Sequence, residues 1–444
     1  MEGTIVKKTF AFALVALALA VCVGAQEAAA GTANPAPQAE VAAPATVAPV
    51  PAVAPAVAPA TVPATAPAVV FASASSKRYA VWSDAGKDDA VALAATLDGL
   101  FGVYNEYFRF DEAALKAPLT VRKFSAKSSF DAYLTKVIGE TKGDFVYLHY
   151  PTVERSELVV FAKESADDFD ASLSHQAFVQ FLKAFIPEPP LWIREGFAVF
   201  FERTRLDANT GLVSYAENQS WLETVKLLKS QSRLYGVSDL MLLSSDEARS
   251  GLDVFYPESW ALVSFFIGSP DRRYNRFIWD AIGHLSPEAS LEQNQNAVRD
   301  FFLKWHGQEA AESDFLAYLD GQKTFAELVT SGVRSYGDKD LDTAYKSFSQ
   351  ALVKNSASYI PHYYLGLIAY ARGDYALAAE YYNKALELGS DAPITNYALG
   401  INAYASRRFD EAKAYLQKAS DGDPAKYGTK AGEIISRIAS DGGM

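Results

Sequence analysis

Beyond residue 77 the apolar and polar positions fall into two regimes. The first holds short β-branched or aromatic runs, RYAVWSD (78–84), LTVRKFS (119–125), DFVYLHY (144–150) and ELVVFAK (157–163), with amphipathic stretches at 88–108 and 128–139 between the first three. This alternation predicts a small mixed sheet crossed by helices. After Asp168 the apolar spacing is helical almost throughout, which predicts an all-helical portion to about residue 320. The 444 residues, half of them hydrophobic, are enough for two folded units.

From residue 326 the pattern repeats. A period of 34 brings Gly332, Gly366 and Gly400 into register, then Tyr336, Tyr370 and Tyr404, then Ala344, Ala378 and Ala412, then Ala351, Ala385 and Ala419. Small residues at fixed positions are what two antiparallel helices need where they cross closely, and Phe348, Tyr382 and Leu416 are placed to fill the space beside them. This spacing resembles the tetratricopeptide repeat over about residues 326 to 424, with Pro424 where the repeat-ending proline is usual. The resemblance implies an α-helical solenoid with a concave face, capped by the amphipathic tail from 425 to about 440. In the first helix of each repeat, Val329, Val333 and Tyr336, then Tyr363, Leu367 and Tyr370, then Tyr397, Ile401 and Tyr404 recur at i, i+4 and i+7. Tyr363, Leu367, Tyr370, Tyr397, Ile401 and Tyr404 are therefore candidate partner-binding residues on the groove. The same stripe also suits packing between neighbouring first helices, and both readings stand.

Composition changes the picture mainly at the N-terminus. Lys7 and Lys8 precede an apolar run from Phe10 to Val23, too short to span a bilayer comfortably, and Val23-Gly24-Ala25 offers a cleavage site. Residues 1–25 read as an export signal, and the mature protein as periplasmic or secreted. LAVC at Cys22 allows the other reading, a membrane-anchored lipoprotein tethered through Cys22. Signal cleavage removes Lys7, Lys8 and Glu2, a net +1, and takes the charge from −12 to −13. It also removes the one cysteine, so burial rather than disulfides must hold the mature fold. Acids and bases are interleaved, which argues against a nucleic-acid surface. Residues 26–76 form an Ala/Pro-rich linker. Its 35-residue core from Pro35 to Val69 carries one charge, Glu40, and could reach on the order of 100 Å at about 3.1 Å per residue.

The chemistry of interest lies in LSHQAFVQFLKAFIPEPPLWIREGFAVFFE (173–202). PPLWIREGFAVFFE (189–202) resembles the second metal-ligand helix of gluzincin-type metallopeptidases, with Glu195 in the ligand position 20 residues after His175. Tyr256, Ser259 and Trp260 in YPESWALVSFF resemble the downstream helix of that group. The resemblance covers about residues 77–320. A working site would need two histidines at i and i+4 with a glutamate general base between them. HExxH maps here onto His175, Gln176, Ala177, Phe178 and Val179, so Gln176 stands for the base and Val179 for the second histidine. An amide is no base near neutral pH, and general-base assistance of about 10²–10⁴-fold would be lost. Valine has no lone pair. Glu202 reads as a solvated or capping carboxylate, and His149, His284, His306 and His362 lie in other elements.

The expected architecture is α+β: a gluzincin-like domain (77–322) made of a small mixed sheet and a helical subdomain, followed by an α-helical solenoid of three repeats plus a capping helix (326–440). The expected function is that of an exported, non-catalytic binding or scaffold protein of the cell envelope. It would hold a protein or peptide partner in the repeat groove and need no cofactor, with His175, Gln176, Val179 and Glu195 vestigial. The alternative is an active zinc-dependent peptidase with a rebuilt metal site.

Overall fold

A computed structural model describes residues 70–206 and 213–441; the export signal, Cys22 and most of the linker lie outside the described residues. The described chain divides into two compact units, one ending at Gln322 and one beginning at Lys323. It is a mixed α+β protein, mostly helical, with a helical repeat region at its C-terminal end.

The first unit is built on a five-stranded sheet. Its strands are β1 (Ala72–Ser75), β2 (Tyr79–Ser83), β3 (Leu119–Phe124), β4 (Val146–Leu148) and β5 (Glu157–Phe161), in the order β1-β2-β3-β5-β4. β2, β3 and β5 run parallel, and the two edge strands run antiparallel to their neighbours. Two helices, α1 (Lys87–Phe108) and α2 (Lys127–Ile138), make the crossovers between parallel strands. The sheet starts earlier than the sequence pattern indicates. Ala72–Ser75 falls within the stretch read as linker, and its small residues carry no strand signal, yet it pairs in register with β2 from Ala72↔Ser83 to Ser75↔Ala80. Backbone pairing to an existing edge, rather than side-chain preference, makes this strand.

Helices α3 (Ala166–Phe185) and α4 (Leu191–Phe201) follow. Ser165 caps α3 by accepting from the Asp168 N–H, and Asp167 and Asp168 complement its N-terminal dipole. Gln180 donates to the Thr120 carbonyl at 2.9 Å and Tyr104 to the Ser174 carbonyl at 2.8 Å, which ties α3 to the sheet and to α1. Pro187, Pro189 and Pro190 separate the two helices. α4 is buried on nearly every side, Trp192, Ile193, Phe197 and Phe201 having no exposed surface. A hairpin, β6 (Thr204–Leu206) with β7 (Val213–Tyr215), interrupts the otherwise helical remainder. Then come α5 (Gln219–Ser230), α6 (Val237–Leu242), α7 (Ser245–Ser250), α8 (Leu252–Gly268), α9 (Arg272–Ile282), α10 (Leu291–His306) and α11 (Gln308–Gly321). α8 lies directly on α4. A Cβ built at Gly196 would stand 2.5 Å from the Ser259 carbonyl oxygen and 2.8 Å from Val263 Cγ2.

The second unit pairs α12 (Phe325–Gly337) with α13 (Leu341–Lys354), α14 (Tyr359–Arg372) with α15 (Tyr375–Glu387), and α16 (Ala392–Ala405) with α17 (Phe409–Gly422). α18 (Pro424–Asp441) closes the stack, burying Tyr427, Ala431, Ile434 and Ile438. The repeating columns have a direct physical cause. Cβ atoms at Gly332, Gly366 and Gly400 would lie 2.8, 2.5 and 2.7 Å from Phe348, Tyr382 and Leu416 respectively. Ala344, Ala351, Ala378, Ala385, Ala412 and Ala419 are all fully buried at the same crossings.

Substitution of these glycines separates close packing from helix propensity. Gly366→Ala drives a Cβ against the buried Tyr382 ring and is expected to cost about 1–3 kcal/mol despite the better propensity of alanine. Gly102→Ala in α1, where nothing lies within 4 Å of the new Cβ, is expected to be neutral or stabilising by up to about 1 kcal/mol. Urea denaturation of both variants checks this, and equal effects would contradict the packing account.

Candidate functional site

α3, α4 and α8 bring the motif residues together. His175 projects from α3 and is 6% exposed; Glu195 projects from α4 and is 5% exposed. His175 Nδ1 lies 2.8 Å from Glu202 Oε1, a hydrogen bond, and Nε2 lies 3.4 Å from Glu195 Oε2, a charge contact at longer range. Arg194 donates from Nε to Glu195 Oε1 at 2.6 Å. The approach of α8 at Gly196 sets Tyr256 beside this group, its ring 6.5 Å from that of His175.

The electrostatics follow from burial and pairing. Burial opposes charge on His175, but Glu195 and Glu202 on either side of the ring outweigh it and raise the imidazole to about 10. Burial likewise opposes charge on Glu195, but Arg194 and His175 hold it down to about 2. Burial next to Glu195 pushes the Tyr256 hydroxyl well above its ordinary value. The group is therefore a buried imidazolium flanked by carboxylates, with a guanidinium on the far side of Glu195.

This geometry corrects the reading of Glu202 as a solvated or capping carboxylate. It occupies the C-cap position of α4, but its side chain is 23% exposed and turns to His175. A carboxylate at a helix C-terminus opposes the helix dipole. That mismatch was the sequence signal that this residue answers to a cation elsewhere. Gln176 and Val179 are half-buried, and Val179 packs against the apolar core. His149 follows β4 and senses the charges of Lys183 and Arg194, so it borders the group although it belongs to another element. His284 bonds the Asp280 carbonyl, and His306 stacks on Tyr274.

The donor set suits a metal ion poorly. The position one helical turn after His175 is an alkyl side chain, Glu195 already faces a guanidinium, and a dication beside Arg194 would be repelled. Among the described residues no group of three or more His, Cys, Asp or Glu side chains is arranged to hold a metal ion.

In the repeats the aromatic stripe is packed more than displayed. Tyr363, Leu367, Tyr397 and Ile401 are buried, because stacking of successive repeats and of α18 covers them; Tyr397 lies 5.1 Å from the Tyr427 ring. Tyr370 and Tyr404 keep partial exposure, so the candidate groove surface narrows to these two.

The raised imidazole has a signed consequence for stability. A histidine whose folded pKa is raised from 6.5 to about 10 stabilises fully below pH 6.5, and that contribution fades as pH rises through about 10. His175→Gln leaves Glu202 without its cation and Glu195 with Arg194 alone, and is expected to cost about 3–5 kcal/mol near pH 6. Denaturation at pH 6 and pH 10 should show the gap between wild type and variant shrinking with pH. A constant gap would mean that His175 is not charged.

Comparison with protein families agrees with the division of the chain. Residues 336–393 match a model described as tetratricopeptide repeat. Residues 173–286, which include His175, Glu195, Glu202 and Tyr256, match one described as protein of unknown function (DUF1570). No curated protein matches the chain. Its C-terminal unit thus carries tetratricopeptide repeats, a repeat class that generally mediates protein–protein interaction.

Proposed function

We propose that this chain is an exported, non-catalytic binding protein of the cell envelope, in which a degenerate gluzincin-like domain accompanies a tetratricopeptide scaffold that holds a protein partner. The observation that carries the reading is the use of His175: both ring nitrogens face carboxylates, at 2.8 and 3.4 Å, in an enclosed ion-pair group. A metallopeptidase needs at least three protein ligands, an open coordination position and a base. Here Val179 offers no donor and Gln176 cannot take a proton from water. The cation at the group's centre is the protein's own imidazolium. His175, Gln176, Val179 and Glu195 are then vestigial in chemistry and structural in effect.

A second reading, a zinc-dependent peptidase with a rebuilt site, draws support from one observation. The Glu202 carboxylate on Nδ1 fixes the ring with Nε2 toward Glu195, as a carboxylate does for a metal-binding histidine. Metal analysis separates the two readings. Full-length protein incubated with zinc and dialysed is expected to retain far less than one equivalent and to leave peptides intact. One equivalent of retained zinc, together with cleavage abolished by His175→Ala, would sink the non-catalytic reading.

The partner role is tested on the repeats. The double substitution of Tyr370 and Tyr404 by alanine is expected to reduce recovery of co-purifying envelope proteins several-fold without lowering helicity, because both rings keep partial exposure. Unchanged recovery would take the groove out of the account. Fractionation of cells expressing wild type and a Cys22→Ala variant distinguishes a soluble periplasmic form from a lipid-anchored one.

A further inference from the structure

Four aromatic rings from four separate elements meet at the surface of the first unit. Tyr107, in the last turn of α1, stacks on Trp279 of α9 with ring centroids 5.4 Å apart, and meets Phe200 of α4 and Tyr215 of β7 edge-on at 6.1 and 6.2 Å. Phe200 and Tyr215 stack at 5.6 Å, which joins the four into one continuous ledge. Each ring keeps part of its surface in solvent, and Tyr215 is 40% exposed. Phe197 and Phe201, both fully buried, pack beside Tyr107, so the ledge is backed by the core. Its rim is polar. The exposed guanidinium of Arg109 lies 5.2 Å from the centroid of the Trp279 ring. The hydroxyls of Tyr107 and Tyr215 share a hydrogen bond, which leaves one hydroxyl proton for an outside acceptor.

Flat rings with hydrogen-bond donors at their edge suit one kind of chain. A polyproline II segment has no internal hydrogen bonds, so its carbonyls are free acceptors, and each proline adds an apolar ring with no N–H to satisfy. The described residues begin at Val70, and the sequence before it supplies such a segment. Pro51, Pro55, Pro59, Pro63 and Pro67 recur every fourth residue among alanine, valine and threonine, with no charge between Glu40 and Val70. Reach decides which part of it arrives at the ledge. Ala72 of β1 pairs with Ser83, close to the start of α1 at Lys87, and Tyr107 stands at the far end of that 22-residue helix. The helix is about 33 Å long at about 1.5 Å per residue. About eleven extended residues cover that distance, which brings the stretch before Pro59 level with the rings. We propose that the ledge of Tyr107, Phe200, Tyr215 and Trp279 docks the chain's own proline-rich tether, at residues 48–59, as an extended strap. Because the segment is joined to the domain, its effective concentration is on the order of 1 mM, and an intrinsic Kd of about 0.1 mM keeps it mostly bound. Docked, the tether loses much of its reach. The proposal does not depend on whether the His175 group is catalytic.

The test uses the full chain with Cys22→Ala, so that a cysteine introduced at Ala48, Ala52 or Ala56 is its only one. An oxazine dye attached there is quenched when it touches a tryptophan. Trp279→Phe, which keeps a ring in the ledge, is expected to brighten the dye about twofold or more at one of the three positions at least. Tyr215→Ala, which removes an exposed ring, is expected to brighten it likewise by releasing the strap. Circular dichroism checks that both variants fold, and Tyr215→Ala decides alone if Trp279→Phe does not. Quenching that is independent of protein concentration assigns the strap to its own chain. Quenching that grows with concentration assigns it to a second copy and overturns the proposal. A dye signal that neither substitution changes at any of the three positions overturns it as well.

Discussion

The first unit depends on how α4 can be both almost wholly buried and charged. An apolar helix enclosed by α3 and α8 is a natural core element, but this one carries Arg194 and Glu195 side by side in its first turns. Burying either alone would cost several kcal/mol, and burying both is tolerated because each satisfies the other and His175 takes the second oxygen of Glu195. His175 in turn is held by Glu202, eight residues beyond Arg194 at the far end of the same helix. Charge on α4 therefore fixes which turn of α3 lies against it. Gly196 fixes the third helix, since only a residue without a side chain lets the Ser259 carbonyl come so close.

The second unit solves helix contact by the same device without charge. Each repeat places a glycine of its first helix under a large side chain of its second, Gly332 under Phe348, Gly366 under Tyr382, Gly400 under Leu416. Flanking alanines keep the crossing narrow. The large residue differs from repeat to repeat while the small one does not, because a cavity partner can be an aromatic ring or a leucine but the approach distance allows no Cβ at all. That difference makes a solenoid legible at low overall similarity.

The same difference explains what could be read from the sequence. The repeat columns were visible because steric exclusion acts on residue identity at a fixed period, and the central strands because β-branched runs mark buried strands. β1 was not visible, since Ala72–Ser75 is held by backbone pairing and looks like the linker before it. The pairing of Glu202 with His175 joins two helices at a separation of 27 residues, and no local periodicity encodes such a distance. Lys183 and His149 were hidden for another reason. A lysine in an amphipathic helix and a histidine after a short strand look solvated until the fold encloses them. The apolar and aromatic character of the repeat stripe is legible in the sequence, but the sequence does not separate groove from core, and stacking buries all of it except parts of Val329, Val333, Tyr370 and Tyr404.

Charge balance links these features to the proposed function. A divalent ion held by two histidines and a carboxylate makes a net cationic centre, able to polarise a carbonyl. In this chain the cations around Glu195 are an imidazolium, a guanidinium and an ammonium, each fixed to a helix. In the reading proposed, such charges orient an anionic group and, with no lone pair at position 179 and no base at 176, do not activate water. In the reading proposed, losing the second histidine did not leave a hole in the electrostatics. It moved the positive charge onto side chains that the fold already buries, and a centre built in that way favours holding a ligand over transforming it.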